Sequence, residues 1–351
     1  MDRTEARVPR KDVATAHDEA AVVVSIVVLN HNGRPWLERC LGAAVAELAP
    51  DCELIVVDNG SGDGSVDFVT RAFPAIRRVV LDQNLGFAAG NNVGAKAARG
   101  RYVAFLNNDA APRPGWLAAL RNALDRDDTL GLASSLIVFM HDPSIVDSAG
   151  DGLTRWGGAF KHAHGCTVGE ASGAADVFGA CGAAFLVRRD LFEQAGGFDP
   201  AFFAVYEDVD LSYRLQLSGS RCRFVPEAVV HHAGSATLGR LSAASVFWGQ
   251  RNMEWMYLKN TPWPLLLLTL PGHVLYNLAA AVHFARMGMF RTFARAKWAA
   301  LCEAPRVWRQ RRQIQRQRRI SWIRLWRLMD RRWIAIKLRE KRFDRDLAHE
   351  A

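Results

Sequence analysis

The stretch VVVSIVVLNHNG, residues 22–33, decides the fold. Its first eight residues are rich in β-branched side chains, which is typical of a strand buried on both faces of a sheet. The polar segment NHNGRP follows and leads into a helical pattern that continues through Leu48. A buried strand, a short polar loop and a helix together form the repeating unit of an α/β protein.

The same unit recurs along the next hundred residues. The strand patterns are ELIVVD (53–58), IRRVVL (76–81), YVAFLNND (102–109) and GLASSLIVF (131–139), and the helical patterns are SVDFVTRAF (65–73), NVGAKAARG (92–100) and PGWLAALRNAL (114–124). This alternation predicts an α/β fold with a doubly wound, mostly parallel sheet. The segment NLGFAAG lacks the GxGxxG spacing, and no GxxxxGK[ST] is present, so neither pattern indicates a dinucleotide fold or a P-loop.

Polar residues follow four of the predicted strands. They are Asn30, Asp58, Asn84 and the run from Asn107 to Asp109. In any single loop, Asn and Asp are explained by turn formation. Ligands of open α/β sheets, however, bind beyond the carboxyl ends of the strands. Four such loops at one sheet edge therefore predict a binding site.

The segment AFFAVYEDVDLSYRL, residues 201–215, places the carboxylates Glu207, Asp208 and Asp210 among apolar residues. Like charges this close repel each other, and burying them is unfavourable without a partner. Stabilisation by a helix N-terminus is one explanation, and a catalytic site is the other. On a helix Glu207 and Asp210 are neighbours while Asp208 points elsewhere, so their roles can differ.

These residue types suit one reaction when taken together. The carboxylate of Asp58 can accept hydrogen bonds from a nucleotide base or ribose. Asp109, among amides, suits a hard cation such as Mg²⁺ or Mn²⁺ that also binds diphosphate oxygens. His232, after the last strand, either completes that shell or is structural. A cation offsets the charge of a departing nucleoside diphosphate, and a carboxylate near residue 208 supplies a base for the attacking hydroxyl.

Charge divides the 351-residue chain into two unequal parts. Residues 286–351 contain 20 Lys and Arg and 6 Asp and Glu, a net +14, which leaves 45 − 20 = 25 basic and 36 − 6 = 30 acidic groups, a net −5, for residues 1–285. Such asymmetry indicates an anionic partner, either nucleic acid or an anionic membrane surface. The first 20 residues are polar and predict a disordered cytoplasmic leader. Residues 141–176 follow no regular pattern and predict an insertion or lid.

The C-terminal part combines an apolar run with a basic one. The run between Lys259 and Arg286 is uncharged and long enough to span a bilayer, but its three prolines favour two short interfacial helices or a shallow re-entrant element. A membrane span and a helix buried within the domain are the alternatives. Beyond it, apolar side chains at spacings of three and four predict one amphipathic helix with arginines on its other faces; they are Trp322, Trp326, Met329, Trp333 and Ile336. Since tryptophan suits a membrane interface and no nucleic-acid motif is present, we expect no nucleic-acid partner.

Six segments, in this order, resemble family 2 inverting glycosyltransferases with the GT-A fold, and most closely the bacterial rhamnosyltransferase-like group of cell-envelope enzymes. They are VSIVVLNHNG, VVDNGSGDGS, NLGFAAGNN, FLNNDAAP, GACGAAFLVRR and YEDVDLSYRL. The resemblance covers about residues 22–259. It implies a nucleotide pocket lined by four residues (Asn30, Asp58, Asn84 and Asn108) and a metal, Mg²⁺ or Mn²⁺, at Asp109 and His232.

The resemblance also assigns roles to the acidic segment. Asp208 matches the general base of the ED motif, and Glu207 and Asp210 are expected to bind the acceptor or support the base. Asn107 stands where the family's metal-binding DxD motif has its first Asp. This departure predicts a metal held more weakly, mainly through the diphosphate and Asp109.

The resemblance further predicts a nucleotide-sugar half at about 21–140, an acceptor half at about 141–259, and a membrane-associating helical region at 260–351. The expected function is transfer of a sugar from a nucleotide-diphosphate donor to a lipid-linked or polysaccharide acceptor in cell-envelope glycan synthesis. We expect it at the cytoplasmic face of the inner membrane, peripheral or shallowly inserted, and compatible with a homo-oligomer. A nucleotidyltransferase and a non-catalytic membrane scaffold are the alternatives.

Overall fold

The secondary structure comes from a computed structural model that describes residues 21–171, 173–234, 242–332, 334–336, 338–340 and 343. The predicted leader, residues 1–20, and Trp333 lie outside this part of the chain. The strands are β1 Val24–Asn30, β2 Cys52–Asn59, β3 Arg77–Leu81, β4 Tyr102–Asn107, β5 Ala110–Pro112, β6 Leu130–Phe139, β7 Val146–Ser148, β8 Asp151–Leu153, β9 Ala159–Lys161, β10 Ala175–Val177, β11 Ala184–Arg188 and β12 Arg221–His232. The helices are α1 Arg34–Ala46, α2 Ser65–Ala72, α3 Gly86–Ala97, α4 Trp116–Arg126, α5 Arg189–Gln194, α6 Glu207–Leu217, α7 Ala243–Asn260, α8 Trp263–Arg286, α9 Phe290–Cys302, α10 Ala304–Gln317 and α11 Trp322–Leu328.

Four parallel strands, in the order β3-β2-β1-β4, form one half of the main sheet. Val24, Ile26 and Val28 of β1 belong to a core shared with α1 and α4, while Val27 faces α3 on the other side of the sheet. Each such buried side chain stabilises the fold by about 1.5–3 kcal/mol. Helices cover both faces, so β1 is apolar except for Ser25 and Asn30, and the predicted α/β fold is confirmed.

The other half of the main sheet is mixed. Strand β11 lies antiparallel between β4 and β6, and β12 pairs parallel with β6. The short strands β5, β7 and β10 add antiparallel pairs. An apolar pattern gives the burial of a strand but not its direction, which is why the sequence predicted the strands without predicting this mixture.

The irregular region at 141–176 is built into the sheet. Strand β7 pairs with β6 and β10 pairs with β12, while β8 and β9 form a separate two-stranded hairpin. The region therefore supplies strands to the main sheet and a separate hairpin rather than a simple loop. Its strands are only three residues long, too short for a sequence pattern to reveal.

Helix α3 begins at Gly86, six residues before the helical pattern that the sequence suggested. Gly86 has a φ of +84°, a conformation that glycine adopts without strain. Gly90 and Gly94 within the helix let it approach β1, because a Cβ at either position would overlap Leu29 or Val27. The glycines that hid this helix in the sequence are the residues that allow it to pack closely.

The apolar run after Lys259 forms one helix, α8, rather than the expected pair of short helices. Pro271 lies inside it, and an interior proline destabilises a helix by about 3 kcal/mol. Packing of one face offsets this, since Leu265, Leu266 and Thr269 are buried against the rest of the protein. By length and composition, α8 is the one helix among the described residues that could cross a membrane.

The predicted amphipathic helix beyond residue 305 is interrupted and faces inward. Helix α11 ends at Leu328, and the backbone then becomes extended at Met329. Asp330 donates its N–H to the carbonyl of Leu153 (2.9 Å), which joins this segment to β8. Trp322 and Trp326 pack, with Met329, on the core of α6 to α10. The described part of the stripe therefore packs on the protein, with Trp322 and Trp326 half-buried and Met329 buried, and membrane contact by this segment stays a prediction.

Candidate active site

Three predicted nucleotide-binding side chains form one hydrogen-bonded chain at the carboxyl ends of β1, β2 and β4. Asn30 donates from Nδ2 to Oδ2 of Asp58 (3.0 Å), and Asn108 donates from Nδ2 to Oδ1 of Asn30 (2.9 Å). All three side chains are buried. The parallel register explains the contact, since it pairs Asn30 with Asp58. The Ser61 N–H binds the other Asp58 oxygen (2.9 Å), so the carboxylate is held in one orientation at the sheet edge.

Asn84 lies at the same edge, exposed, and shapes the loop before α3. Its Oδ1 accepts hydrogen bonds from Nδ2 of Asn59 (2.9 Å) and from the backbone N–H of Gly86 (2.8 Å). Asn59 also accepts the N–H of Leu85 (2.9 Å). Asn59, which the sequence reading did not single out, therefore joins the end of β2 to this loop.

The two predicted metal ligands lie next to each other. Asp109 Oδ1 is 3.3 Å from Nε2 of His232, and strand β12 brings them together because His232 pairs with Ala110 of β5. On the other side of the imidazole, Oδ2 of Asp147 is 2.9 Å from Nδ1. Burial lowers the pKa of His232, but the two carboxylates outweigh it and raise the pKa to about 9. Without a cation the imidazole is therefore protonated.

The residues at this position fit a divalent cation. Oδ1 of Asp109 is buried, and its one contact with a polar side chain among the described residues is the ion pair with Nε2 of His232 (3.3 Å), which leaves it a lone pair for a cation. A carboxylate beside an imidazole is a usual pair of protein ligands. Asp147 supplies the carboxylate that a metal-bound histidine commonly has on its second nitrogen. A cation would replace the proton of His232 and keep the charge of Asp109 balanced.

Asp208 is attached to the tip of β4. Its Oδ2 accepts the N–H of Gly182 and its Oδ1 the N–H of Val209, both at 2.7 Å. One residue further on, the carbonyl of Ala183 accepts the N–H of Asn107 (2.9 Å). One side-chain hydrogen bond to Gly182 and one backbone hydrogen bond between Asn107 and Ala183 thus connect the ED motif with the strand that ends at the predicted metal site. Asp208 is partly exposed at this point.

The loop that delivers Asp208 is strained. Phe203, Val205 and Tyr206 have φ angles of +63°, +69° and +74°, which side chains other than glycine adopt only at a free-energy cost of about 1–3 kcal/mol each. The carbonyl of Phe203 accepts the N–H of Ala88 (3.1 Å) at the start of α3. The loop is thereby fixed against the segment that carries Asn84, as is common where a site must be rigid.

A second carboxylate and a thiol stand beside Asp208. Oxygens of Asp151 and Asp208 and the sulfur of Cys181 all lie within 4.8 Å of one another. Burial and the charge of Asp208 raise the pKa of Asp151 well above its usual range. Burial also raises the pKa of Asp208, against the Gly182 and Val209 hydrogen bonds and the charge of Lys161. Both shifts favour the protonated carboxyls, and burial raises the pKa of the Cys181 thiol as well, so the cluster is a poor ligand set for a hard cation.

Glu207 and Asp210 lie deeper than Asp208. Glu207 is buried, and burial and the charge of Asp208 raise its pKa well above the usual value, so it is neutral. Asp210 is fully buried and pairs with Arg214 (2.9 Å) and Lys259 (3.1 Å). This network fastens α6 to α7 and leaves Asp210 no free oxygen for an acceptor.

Four residues near the site were not among the sequence candidates: Asn59, Asp147, Asp151 and Lys161. Lys161 donates to Oδ1 of Asp147 (2.7 Å) and links the β8–β9 hairpin to the His232 side of the site. The sequence DSAGD, residues 147–151, holds two acids in a segment rich in small residues, and this was the one signal available. Because the sequence reading assigned residues 147–151 to an irregular insertion or lid, these two acids were not considered as site residues.

Known proteins share this sequence pattern and this fold. The family model described as "Glycosyl transferase family 2" matches residues 25–196. The N-acetylglucosaminyl-diphospho-decaprenol L-rhamnosyltransferase of Mycobacterium tuberculosis is 30% identical over 241 residues, covering 61% of this chain and 78% of that protein. This likeness extends over most of the relative's length.

Solved structures match the fold at lower identity. GalNAc-T7, solved with UDP, GalNAc and Mn²⁺, aligns with a TM-score of 0.55 and 18% identity, covering 69% of this chain and 49% of that one. The mannosyltransferase PcManGT of Pyrobaculum calidifontis, solved with GDP-Man and Mn²⁺, aligns with a TM-score of 0.51 and 20% identity, covering 82% and 79%.

The half-parallel sheet, with a polar edge at β1, β2 and β4 and an acidic helix start beside it, is the GT-A fold of these solved structures. The chain belongs to glycosyltransferase family 2. The fold and family expected from the sequence are both confirmed.

Proposed function

We propose that the protein is an inverting glycosyltransferase that moves a sugar from a nucleotide-diphosphate donor to a lipid-linked or polysaccharide acceptor in cell-envelope glycan synthesis. One observation carries the proposal: the hydrogen bond from the Gly182 N–H to the Asp208 carboxylate, together with the backbone bond from Asn107 to Ala183, links Asp208 to the end of β4. A base at Asp208 and a diphosphate-binding sheet edge can act in the same reaction only if a sugar fits between them.

The donor would lie along the carboxyl ends of β1, β2 and β4. Asp58 accepts hydrogen bonds from the base or ribose, while Asn30 and Asn108 hold it in place and Asn84 shapes the adjoining loop. Asp109 and His232 would hold a divalent cation, Mg²⁺ or Mn²⁺, which offsets the negative charge of the leaving diphosphate. The available Asp109 oxygen supports this assignment, as do the Mn²⁺ ions named for the two solved neighbours.

Asp208 would act as the general base. The acceptor hydroxyl loses its proton to a carboxylate oxygen of Asp208 while its oxygen attacks the anomeric carbon. The bond from that carbon to the diphosphate oxygen breaks, and the nucleoside diphosphate leaves with the electron pair. One displacement inverts the anomeric configuration without a covalent enzyme intermediate. Asp151 and the neutral Glu207 flank the base on the acceptor side.

The acceptor class and the location follow from the relative's name and from the surface of the chain. The mycobacterial relative is named for a diphospho-decaprenol acceptor, which supports a lipid-linked acceptor here. The protein would then work at the cytoplasmic face of the inner membrane, peripheral or shallowly inserted, with an anionic membrane surface as a partner. A homo-oligomer is compatible with this arrangement, and no nucleic acid is involved.

Product analysis tests the proposal. Purified protein is incubated with a panel of nucleotide sugars, Mn²⁺ and a short-chain lipid diphosphate sugar acceptor. We expect release of nucleoside diphosphate and a glycoside of inverted configuration. Pyrophosphate release would indicate the alternative nucleotidyltransferase. Absence of transfer and of hydrolysis with every donor that raises the melting temperature would indicate the non-catalytic scaffold.

A further inference from the structure

Helix α8 exposes a continuous apolar stripe along its length. The side chains of Leu267, Leu275 and Leu278 are 66%, 60% and 58% exposed, and they continue a single helical face. The full set of large apolar side chains on this face is Trp263, Leu267, Leu268, Leu270, Val274, Leu275, Leu278 and Val282. At 1.5 Å per residue the helix is about 36 Å long. Soluble monomers rarely expose contiguous apolar surface of this extent.

The opposite face of α8 is fastened to the catalytic domain. His273 contacts Glu254 of α7 through Nε2 (2.9 Å) and the carbonyl of Trp156 through Nδ1 (2.8 Å). Tyr257 of α7 stacks on His273, with ring centroids 3.8 Å apart, and bonds Thr269 (2.7 Å). A transbilayer orientation would require all of these polar contacts to be broken. One face of α8 therefore packs on the protein, and the opposite face is left exposed for a binding partner.

Helix α9 packs beside α8 through the rings of Phe284 and Phe293 (5.9 Å) and adds basic and aromatic groups. Its outer face combines Trp298, 69% exposed, with Arg291 and Arg295. Exposed arginines that form no ion pair with any described residue continue over the following helices: Arg286, Arg291, Arg295, Arg309, Arg312, Arg316, Arg319, Arg324, Arg327 and Arg331. An apolar stripe bordered by arginine and tryptophan is complementary to an anionic bilayer.

We propose that α8 and α9 lie flat on an anionic bilayer, with the α8 stripe at the boundary between headgroups and acyl chains and the arginines on lipid phosphates. The surface consists of the α8 side chains named above with Phe290, Trp298, Arg291 and Arg295 of α9, and we call it the α8–α9 face. Its occupant is lipid. A second copy of the chain, in a symmetric contact through the same face, would cover the apolar stripe but would place the arginines of the two copies opposite one another.

The α8–α9 face is coupled to the acceptor side of the active site. Gly272 and Tyr276 of α8 pack on Trp156 and Gly158 in the turn of the β8–β9 hairpin. The same hairpin begins with Asp151, which stands beside Asp208. A bilayer beneath α8 would thus lie next to the point at which the acceptor hydroxyl meets the base. The link between the bilayer and the acceptor hydroxyl rests on the proposed function, whereas the binding of the α8–α9 face to a bilayer does not.

Vesicle binding tests the α8–α9 face. The full-length protein is sedimented with vesicles of phosphatidylcholine alone or mixed with phosphatidylglycerol. We expect binding to the mixed vesicles, at least about tenfold weaker binding by Leu268→Glu/Leu275→Glu, and unchanged binding by Val45→Glu, which alters an exposed apolar residue on α1. Arg291→Glu/Arg295→Glu should reduce binding to the anionic vesicles and its salt dependence.

Two further readouts separate the alternatives. Quenching of tryptophan fluorescence by brominated lipids should be strongest for bromines near the headgroups and should be reduced in Trp298→Phe, with Trp263 of the same face still contributing. Strongest quenching from the bilayer centre would contradict a flat orientation. Equal binding by the Leu268→Glu/Leu275→Glu variant, or a dimer in light scattering that this variant dissociates, would overturn the proposal. The Leu268→Glu/Leu275→Glu variant should transfer sugar to a water-soluble acceptor as well as the wild-type protein does. If the wild-type protein itself shows no such transfer, that result contradicts the proposed function and not the proposed membrane binding.

Discussion

Asp147 and His232 are 85 residues apart in sequence, yet Oδ2 of Asp147 lies 2.9 Å from Nδ1 of His232. The contact turns the other imidazole nitrogen toward Asp109. Lys161 holds the second oxygen of Asp147 (2.7 Å), so the carboxylate cannot rotate freely. The orientation of a candidate metal ligand is thus set by the irregular segment between β6 and β10.

Asp147→Asn should weaken metal binding because the amide no longer orients the imidazole as a carboxylate does. Loss of such a partner typically reduces metal affinity 10- to 100-fold. Titration of Mn²⁺ followed by its electron paramagnetic resonance signal measures the affinity directly. Asp142→Asn is the control, since Asp142 is exposed and bonds only within its own loop. Equal affinities in the two variants would argue that Asp147 has no such role.

Asp109→Ala should remove the metal-dependent part of donor binding. The substitution deletes the carboxylate with the available oxygen, and we expect nucleotide-sugar affinity to become nearly independent of Mn²⁺. Calorimetric titration with and without Mn²⁺ gives the difference. Asp128→Ala, an exposed acid at the far end of the sheet, is a suitable control. A Mn²⁺ effect of wild-type size in Asp109→Ala would place the metal elsewhere.

Asp208→Asn should lower kcat by a factor of about 10²–10⁴, the usual contribution of a general base. Donor affinity should stay near the wild-type value, because the amide oxygen can still accept the Gly182 N–H. Steady-state transfer assays and donor titrations provide both numbers. Asp67→Asn is matched, since Asp67 also lies in the first turn of a helix. A kcat within about threefold of wild type would exclude Asp208 as the base.

The acid limb of the pH profile should report Asp208. A base works when ionised, and burial raises the pKa of this carboxyl, so kcat/KM should begin to fall at a pH above the ordinary Asp value of about 3.9. The positive charge of Lys161 lowers the same pKa. Lys161→Met should therefore move the acid limb to higher pH. An unmoved limb, or one displaced to lower pH, would contradict this assignment.

Glu254 should stabilise the helical region in a pH-dependent way. It joins α7 to α8 and α9 through His273 (2.9 Å) and Lys297 (2.6 Å). Burial raises its pKa, but His273 and Lys297 outweigh this and lower the pKa to about 2. Because the folded pKa lies below the unfolded value of about 4.3, the stabilisation is complete above that pH and is lost as the pH falls toward 2.

Glu254→Gln should therefore reduce the free energy of unfolding at pH 7, by an amount on the order of 3 kcal/mol at most. The gap between variant and wild type should narrow below pH 4. Urea unfolding at a series of pH values measures this, with Glu303→Gln, an exposed acid, as the control. A constant gap at every pH would mean that packing, rather than ionisation, accounts for the loss.

The parallel half of the sheet could be predicted because each of its strands and loops is marked by residues adjacent in the sequence. Strand β1 is buried on both faces, so five of its seven side chains are apolar, and each polar loop marks the end of a strand. Asn30, Asp58 and Asn108 could be grouped for the same reason: parallel strands bring their carboxyl ends to one edge, and the register then forms the hydrogen bonds.

Which apolar faces of the C-terminal helices are buried could not be predicted from the sequence. The tryptophans of α11 and the leucines of α8 give similar apolar stripes in the sequence, but Trp326 is covered by the protein and carries Arg155 on its ring at 3.8 Å. Leu275 is 60% exposed. Periodicity identifies an apolar face without identifying what covers that face.

The sequence by itself determined the α/β fold, the family and the positions of Asp58, Asp109 and Asp208, because each depends on residues close together in the chain. Only the tertiary structure decided which acids have oxygens available. The carboxylate of Asp210 is buried against Arg214 and Lys259, whereas that of Asp208 is partly exposed and lies beside Asp151. The state of a carboxylate depends on charges and hydrogen-bond donors brought to it from distant segments, and the fold alone assembles these.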